Sequence, residues 1–116
     1  MKLSHKIHGL KQTVVIKATA QSIEIVDSVP SRFVNCSQLF LSHNLIKTLG
    51  KIDQFHLLSR LLLEYNKIEH VEDLLPLGKL PNLVDLRLEG NPVCKLIFWD
   101  VHTINICPNL KLLNGK

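Results

Sequence analysis

Apolar residues recur at fixed distances from three asparagines, Asn44, Asn66 and Asn91, which are 22 and 25 residues apart. Apolar side chains stand five and three positions before each asparagine, and two and five positions after it. These positions hold Leu39, Leu41, Ile46 and Leu49; Leu61, Leu63, Ile68 and Val71; and Leu86, Leu88, Val93 and Leu96. The alternation of leucine with other residues before each asparagine is typical of a short strand with one inward face.

A chain that repeats such a motif is expected to stack its repeats, because a single repeat cannot bury its apolar edge. The pattern predicts parallel strands near 13–18, 37–41, 60–63, 85–88 and 111–113, joined on the convex side by short helices or 3₁₀ turns. A C-terminal helix is predicted around 95–106. The expected fold is an α/β solenoid with a concave parallel sheet.

The asparagine of each repeat motif follows the strand, where the backbone turns and leaves its N–H and C=O groups without partners inside the stack. An asparagine side chain offers both a donor and an acceptor, so Asn44, Asn66 and Asn91 are predicted to form a buried ladder. The same frame extends to Gln21, around which Ile16, Ala18, Ile23 and Val26 fill the apolar positions.

The chain is therefore expected to form a single domain, 1–116, with four parts. Residues 1–12 form an N-terminal edge, 13–35 a degenerate first repeat, 36–93 the regular repeats and 94–116 a C-terminal cap.

The variable positions between the leucines should face the concave side of the sheet. Phe40 and Leu62 fall there on adjacent strands and form an apolar centre. Charged and polar side chains surround it, namely Lys17, Gln38, Arg60, Glu64 and Arg87. An apolar centre with a polar rim is typical of a protein-binding surface, which is the function predicted for these residues.

Composition and charge narrow the range of partners. The net charge is +4, but Lys2, Lys6, Lys11 and Lys17 stand among the first 20 residues without any acid, and the rest of the chain is balanced. Nucleic-acid binding by this chain alone is therefore disfavoured, because it usually needs a basic stripe over the domain body. No apolar run reaches the ~18 to 20 residues of a membrane span.

Neither catalysis nor a bound metal is predicted. His5 and His8 could share a helical face, but no acidic or cysteine ligand stands near them in sequence. Cys94 and Cys107 are expected to be buried apolar fillers. The chain has three cysteines, the third being Cys36, and none of them forms a CxxC motif. An odd number without such a motif favours a reducing compartment. No cofactor is expected.

The repeat motif around each asparagine and the C-terminal residues resemble the short, 22-residue intracellular class of leucine-rich repeats found in nuclear phosphatase regulators. The ending is similar to that class's C-terminal cap. The matching residues are Asn91-Pro92-Val93, Trp99 in a tyrosine position, Thr103-Ile104, Pro108, Leu110, Leu113, and Asn114 in an aspartate position. Asp100 stands where the cap has an arginine. The resemblance implies a right-handed arc closed by Trp99, Pro108, Leu110 and Leu113.

Similar caps occur in the spliceosomal A-prime protein, in TAP-type messenger-RNA exporters, in axonemal dynein light chain 1 and in centrosomal and ciliary proteins. The resemblance therefore implies a protein-binding adaptor, first of all the N-terminal domain of a larger centrosomal, ciliary or cytoskeletal protein. The alternative is a ribonucleoprotein, splicing or RNA-export subunit. Phosphatase regulation is less favoured, because such regulators need about a dozen repeats.

The location expected from these readings is intracellular. The cytoplasm or cytoskeleton is the first reading and the nucleus the alternative. The chain is expected to be a monomer or part of a larger chain.

Overall fold

Alternating apolar residues place five short strands side by side in a computed structural model that describes all 116 residues. The strands form one parallel sheet in chain order. They are β1 (Val15–Lys17), β2 (Gln38–Phe40), β3 (Arg60–Leu62), β4 (Asp85–Arg87) and β5 (Leu112–Leu113). Each lies inside a predicted strand range, so the predicted solenoid with a parallel sheet is confirmed.

The buried central residue of each strand sets the register of the sheet. Ile16 pairs with Leu39, Leu39 with Leu61, and Leu61 with Leu86. All four side chains are fully buried. Because side chains alternate along a strand, the residues on either side of each buried one point to the opposite, concave face.

Short 3₁₀ segments return the chain along the other side of the stack, as the sequence predicts. They are Ser31–Phe33, Ile52–Gln54, Val71–Lys79 and Pro92–Lys95. Two α-helices lie at the ends of the solenoid, α1 (Leu3–Ile7) and α2 (Trp99–Ile106). Neither has the length and the apolar run that crossing a bilayer requires.

The predicted helix over 95–106 begins too early. Leu96 has an extended backbone, and Phe98 takes a left-handed conformation with φ +62 before α2 starts at Trp99. A right-handed helix cannot run through either residue. For the same reason Leu96 leaves its expected inward position and is 45% exposed.

The N-terminal edge is tied to the first repeat. Leu3 and Ile7 of α1 are fully buried, and the Ser4 amide donates to the Asp27 carboxylate at 2.9 Å. Desolvation opposes ionisation of Asp27, but hydrogen bonds from the Ser4 hydroxyl and amide outweigh it and lower the pKa of Asp27. This stabilisation is present at neutral pH and is lost as the pH falls through that lowered pKa.

The asparagines link successive strand ends through hydrogen bonds. Asn66 Oδ1 accepts from the Ile46 amide at 3.0 Å, and its Nδ2 donates to the Leu41 and Leu63 carbonyls at 2.9 and 3.0 Å. Asn44 donates to the same Leu41 carbonyl at 2.9 Å, and Asn91 to the same Leu63 carbonyl at 2.8 Å. Each of these carbonyls is therefore shared by two consecutive asparagines.

The two ends of this ladder differ from its middle. Gln21 occupies the asparagine position of the first repeat, but its side chain is exposed, and only its amide takes part, donating to Asn44 Oδ1 at 2.9 Å. At the other end Asn114 Oδ1 accepts from the Leu88 amide at 2.6 Å. The ladder thus runs from the first repeat into the cap.

The residue before each asparagine position has a positive φ. This row contains Ala20, His43, Tyr65 and Gly90, with φ between 55 and 82. The left-handed conformation turns the chain out of each strand. The His43 and Tyr65 rings stack with centroids 4.7 Å apart, and the Tyr65 ring also lies against Gly90.

Gly90→Ala is expected to lower the free energy of unfolding by about 2 kcal/mol, because a left-handed alanine is strained. An added Cβ would also lie 2.3 Å from the Tyr65 ring. Gly115→Ala is the matched control, since Gly115 has the same φ of +82 and open space around it. Urea denaturation of both variants measures the difference, and equal losses would contradict the role of the Tyr65 contact.

Candidate functional site

The concave face carries two rows of side chains that cross the sheet from strand to strand. The first row contains Lys17, Phe40, Leu62 and Arg87, which are direct neighbours in the sheet register. Phe40 and Leu62 are half-buried in the middle of the row. The guanidinium carbon of Arg60 lies 5.6 Å from the centre of the Phe40 ring. The apolar centre is therefore bordered by a cation on the neighbouring strand.

The second row contains Val15, Gln38, Arg60 and Asp85. Asp85 accepts a hydrogen bond from Arg60 Nε at 3.0 Å, and Arg87 Nε lies 3.8 Å from its other oxygen. The Asp85 side chain is only 13% exposed, whereas those of the two arginines are 35% exposed. One buried carboxylate is thus flanked by two cations.

This arrangement leaves hydrogen-bonding capacity unused at the concave face. Asp85 Oδ1 and Arg87 Nε have no hydrogen-bond partner within the chain. The two atoms are buried and lie 3.8 Å apart, so they form an ion pair that is too long to be a hydrogen bond. The burial of Asp85 was not predicted, because the period-two pattern places its position on the outward face.

The rim of the concave face is polar on the side where the strands end. Glu64 accepts a hydrogen bond from the Ser42 hydroxyl at 2.7 Å. Gln38 is half-buried at the strand starts. The sheet therefore brings the seven predicted partner-binding residues, Lys17, Gln38, Phe40, Arg60, Leu62, Glu64 and Arg87, onto one side of β1–β4. Their role in binding stays a prediction.

The cap residues take different positions. Trp99, Leu110 and Leu113 are half-buried and pack against the core, whereas Pro108 is exposed. A cavity of about 420 Å³ lies between the cap and the last strands, lined in part by Trp99, Ile104 and Leu113.

The cap also carries a set of exposed apolar residues, which the repeat pattern did not predict. Its side chains are 45 to 79% exposed, and they are Leu96, Ile97, Phe98, Val101 and Ile104. Two signals could have indicated it, the consecutive run Leu96-Ile97-Phe98 and the three-residue spacing of Val101 and Ile104 on α2.

The cysteines lie within or against the core. Burial raises the pKa of Cys36 and of Cys107 from an ordinary value of 9.0 to about 11. Burial also raises the pKa of Cys94, which is half-buried. At neutral pH these thiols are protonated, and a thiol is a far weaker nucleophile than a thiolate.

Cys36 and Cys107 are expected to react with iodoacetamide at pH 8 at least ~100-fold more slowly in the folded chain than in urea, because two pKa units remove about that much thiolate. Raised thiol pKa values also favour the folded state below pH 9, and this contribution is lost as the pH rises towards 11. Mass spectrometry of timed samples measures the labelling, and equal rates in both conditions would contradict the burial.

His5 and His8, the one histidine pair close in sequence, do not converge on a third ligand. Both are exposed, and His8 Nδ1 lies 2.9 Å from the His5 carbonyl. No group of three histidine, cysteine, aspartate or glutamate residues lies close enough together to hold a metal ion.

Comparison with known proteins adds two findings. The U2 small nuclear ribonucleoprotein A′ of Candida glabrata is 37% identical over 110 residues, which are 94% of this chain and 41% of that protein. A chain in the crystal structure of the Drosophila melanogaster SNF/U2A′ complex superposes with a TM-score of 0.77 at 21% identity, over 89% of this chain and 60% of that one. No protein-family model matches the chain. The chain thus spans less than half of the length of the curated relative that it matches.

Proposed function

Because the chain is a leucine-rich repeat protein of the short, 22-residue class, we propose that it is a protein-binding subunit of a nuclear ribonucleoprotein particle of the U2 type. The observation that carries this proposal is the 37% identity to a U2 small nuclear ribonucleoprotein A′ over 94% of the chain. A leucine-rich repeat by itself is a general binding scaffold, so the fold alone does not choose among partners.

The first reading of the sequence, a centrosomal, ciliary or cytoskeletal adaptor, has no support from these relatives. Both are named for the U2 particle, which favours the alternative reading of a ribonucleoprotein subunit. The nucleus is accordingly the proposed location.

The proposed binding surface is the concave face. Phe40 and Leu62 supply an apolar centre, and Arg60, Asp85 and Arg87 supply fixed charges beside it. The centre of a protein interface is typically apolar with few, well-placed polar groups. The solved structure of similar fold is a complex named for two proteins, SNF and U2A′, which supports a protein as the partner.

The charges of the concave face favour a protein over RNA as the direct contact. Lys17, Arg60 and Arg87 are offset by Asp85, Glu64 and Glu89, so no basic stripe crosses the sheet. RNA-binding surfaces draw most of their affinity from unbalanced lysines and arginines. In this proposal the chain therefore joins the particle through a protein that contacts the RNA.

The test is co-purification from cells that carry the protein. The tagged chain is expected to recover one protein in equal amount together with the U2 small nuclear RNA. After ribonuclease treatment the protein is expected to remain bound while the RNA is lost. Recovery of cytoskeletal proteins without small nuclear RNA would overturn the proposal, as would an RNA contact that survives removal of the protein partner.

A further inference from the structure

The outer edge of β1 is open. The sheet begins at β1, which pairs only with β2. The Val14 carbonyl and the Ala18 amide bond to Gln38 and Phe40 of β2 at 3.2 and 2.9 Å. Backbone groups alternate in direction along a strand, so those of Val15 and Lys17 point away from β2, and nothing in the chain hydrogen-bonds with them.

The surroundings of this edge are basic. Lys11 and Lys17 are exposed, and the first 20 residues contain four lysines and no acid. Arg32 adds a fixed cation, because its guanidinium donates to the His8 and Leu10 carbonyls at 2.6 and 2.7 Å.

The two acids that approach the N-terminal segment are already engaged. Asp27 accepts from Ser4, and Glu24 lies 3.4 Å from the amino terminus. The positive charge beside β1 is therefore not neutralised within the chain.

A cavity beside the edge has room for side chains. It measures about 470 Å³ and is lined by Leu10, Gln12, Val15 and Lys17, two of which are apolar. An extended peptide presents alternate side chains to opposite faces, so one of its two sets could enter this cavity and meet Lys17 there.

We propose that an extended acidic segment of a partner protein adds to β1 as a sixth strand of the sheet. Backbone hydrogen bonds to Val15 and Lys17 would supply affinity, and lysines and Arg32 would select acidic side chains. RNA is also anionic, but it cannot offer the in-plane alternation of donors and acceptors that the edge presents. This site adjoins the concave face, with which it shares Val15 and Lys17, but it does not include the apolar centre at Phe40 and Leu62.

Two substitutions at one position distinguish the backbone from the charge. Lys17→Pro removes the outward amide and leaves the bonds from β1 to β2, because proline is tolerated where an edge amide faces solvent. Lys17→Ala removes the same charge and keeps the amide. The comparison of the two variants therefore measures the edge hydrogen bond alone.

The probe is a capped eight-residue peptide in which threonine alternates with glutamate, and its control has lysine in place of glutamate. In NMR titrations the glutamate peptide is expected to shift the amides of Thr13–Lys17 and Lys11, and the lysine peptide is not. Lys17→Pro is expected to bind about tenfold more weakly than Lys17→Ala, which corresponds to ~1.4 kcal/mol. Phe40→Ala with Leu62→Ala should leave peptide binding unchanged, which separates this site from the apolar centre of the concave face.

Hydrogen exchange on the unmodified chain gives a second readout if the proline variant does not fold. The Val15 and Lys17 amides should exchange rapidly in the free protein and slow at least ~10-fold when the peptide saturates it. The proposal is overturned if both peptides bind equally, if the proline and alanine variants bind equally, or if the glutamate peptide causes no shift at millimolar concentration. A 12-nucleotide RNA that shifts these amides when the peptide does not would also overturn it.

Discussion

Asn66→Ala should lower the free energy of unfolding by about 3 kcal/mol, equivalent to a fall of roughly 12 °C in the melting temperature. The Ile46 amide loses its side-chain partner, Asn66 Oδ1, and the Leu41 and Leu63 carbonyls each lose one of their two asparagine donors. A buried donor without a partner costs ~1 to 3 kcal/mol, and the lost bonds add to this. This is a large share of the stability of a small domain.

Asn66→Asp should destabilise the chain at least as strongly. A carboxylate can still accept from Ile46, but it has no donor for the two carbonyls and brings a negative charge close to them. Asn35→Ala is the control, because Asn35 is exposed and its side chain makes no hydrogen bond within the chain. If both Asn66 variants had the same melting temperature as the Asn35→Ala control, the asparagine ladder would make no measurable contribution to stability.

Phe40→Ala combined with Leu62→Ala should weaken binding of the co-purifying protein at least ~30-fold. Binding energy is concentrated in a few central, large side chains, and removing one such residue typically costs 2 kcal/mol or more. Both residues lie at the centre of the concave face, on neighbouring strands. Because both are half-buried, the double variant should remain folded, with a stability loss of only ~1 to 2 kcal/mol.

The matched control removes two leucines outside the sheet. Leu57 and Leu75 are 45% and 59% exposed, so Leu57→Ala with Leu75→Ala deletes comparable apolar surface elsewhere. Isothermal titration calorimetry measures the affinities, and circular dichroism checks the fold. Equal affinities for the two double variants would move the binding site away from the concave face. Lys17→Ala and Arg87→Ala should chiefly slow association and change its dependence on salt.

The fold could be predicted because one sequence motif repeats, so that each leucine position is specified several times. Strand positions, their order and the buried rows all follow from the spacing around the asparagines. The helix start at Trp99 did not follow, because the left-handed Phe98 is a local backbone choice that apolar spacing does not encode.

The concave face was predictable in outline and not in detail. Its side-chain rows follow from the register, since a one-residue shift would have turned Phe40 and Leu62 into the core. The burial of Asp85 between Arg60 and Arg87 depends on which side chains reach across neighbouring strands. The open edge of β1 depends on which groups lack partners. Neither property can be obtained from periodicity.

The carbonyl shared between consecutive asparagines gives the molecule a unit that can be copied. Asn66 holds the Leu41 carbonyl much as Asn44 holds that of Ala18, at 2.9 and 3.0 Å. A second copy of residues 45–66, placed after Asn66, would leave the original packed on the repeat before it and the copy packed on the repeat after it. Gene duplication could therefore lengthen this arc at the cost of one new interface, the one between the two copies. Each copy would add one Leu62 to the concave face and one Tyr65 ring to the aromatic stack, so the concave face would widen in steps of one strand.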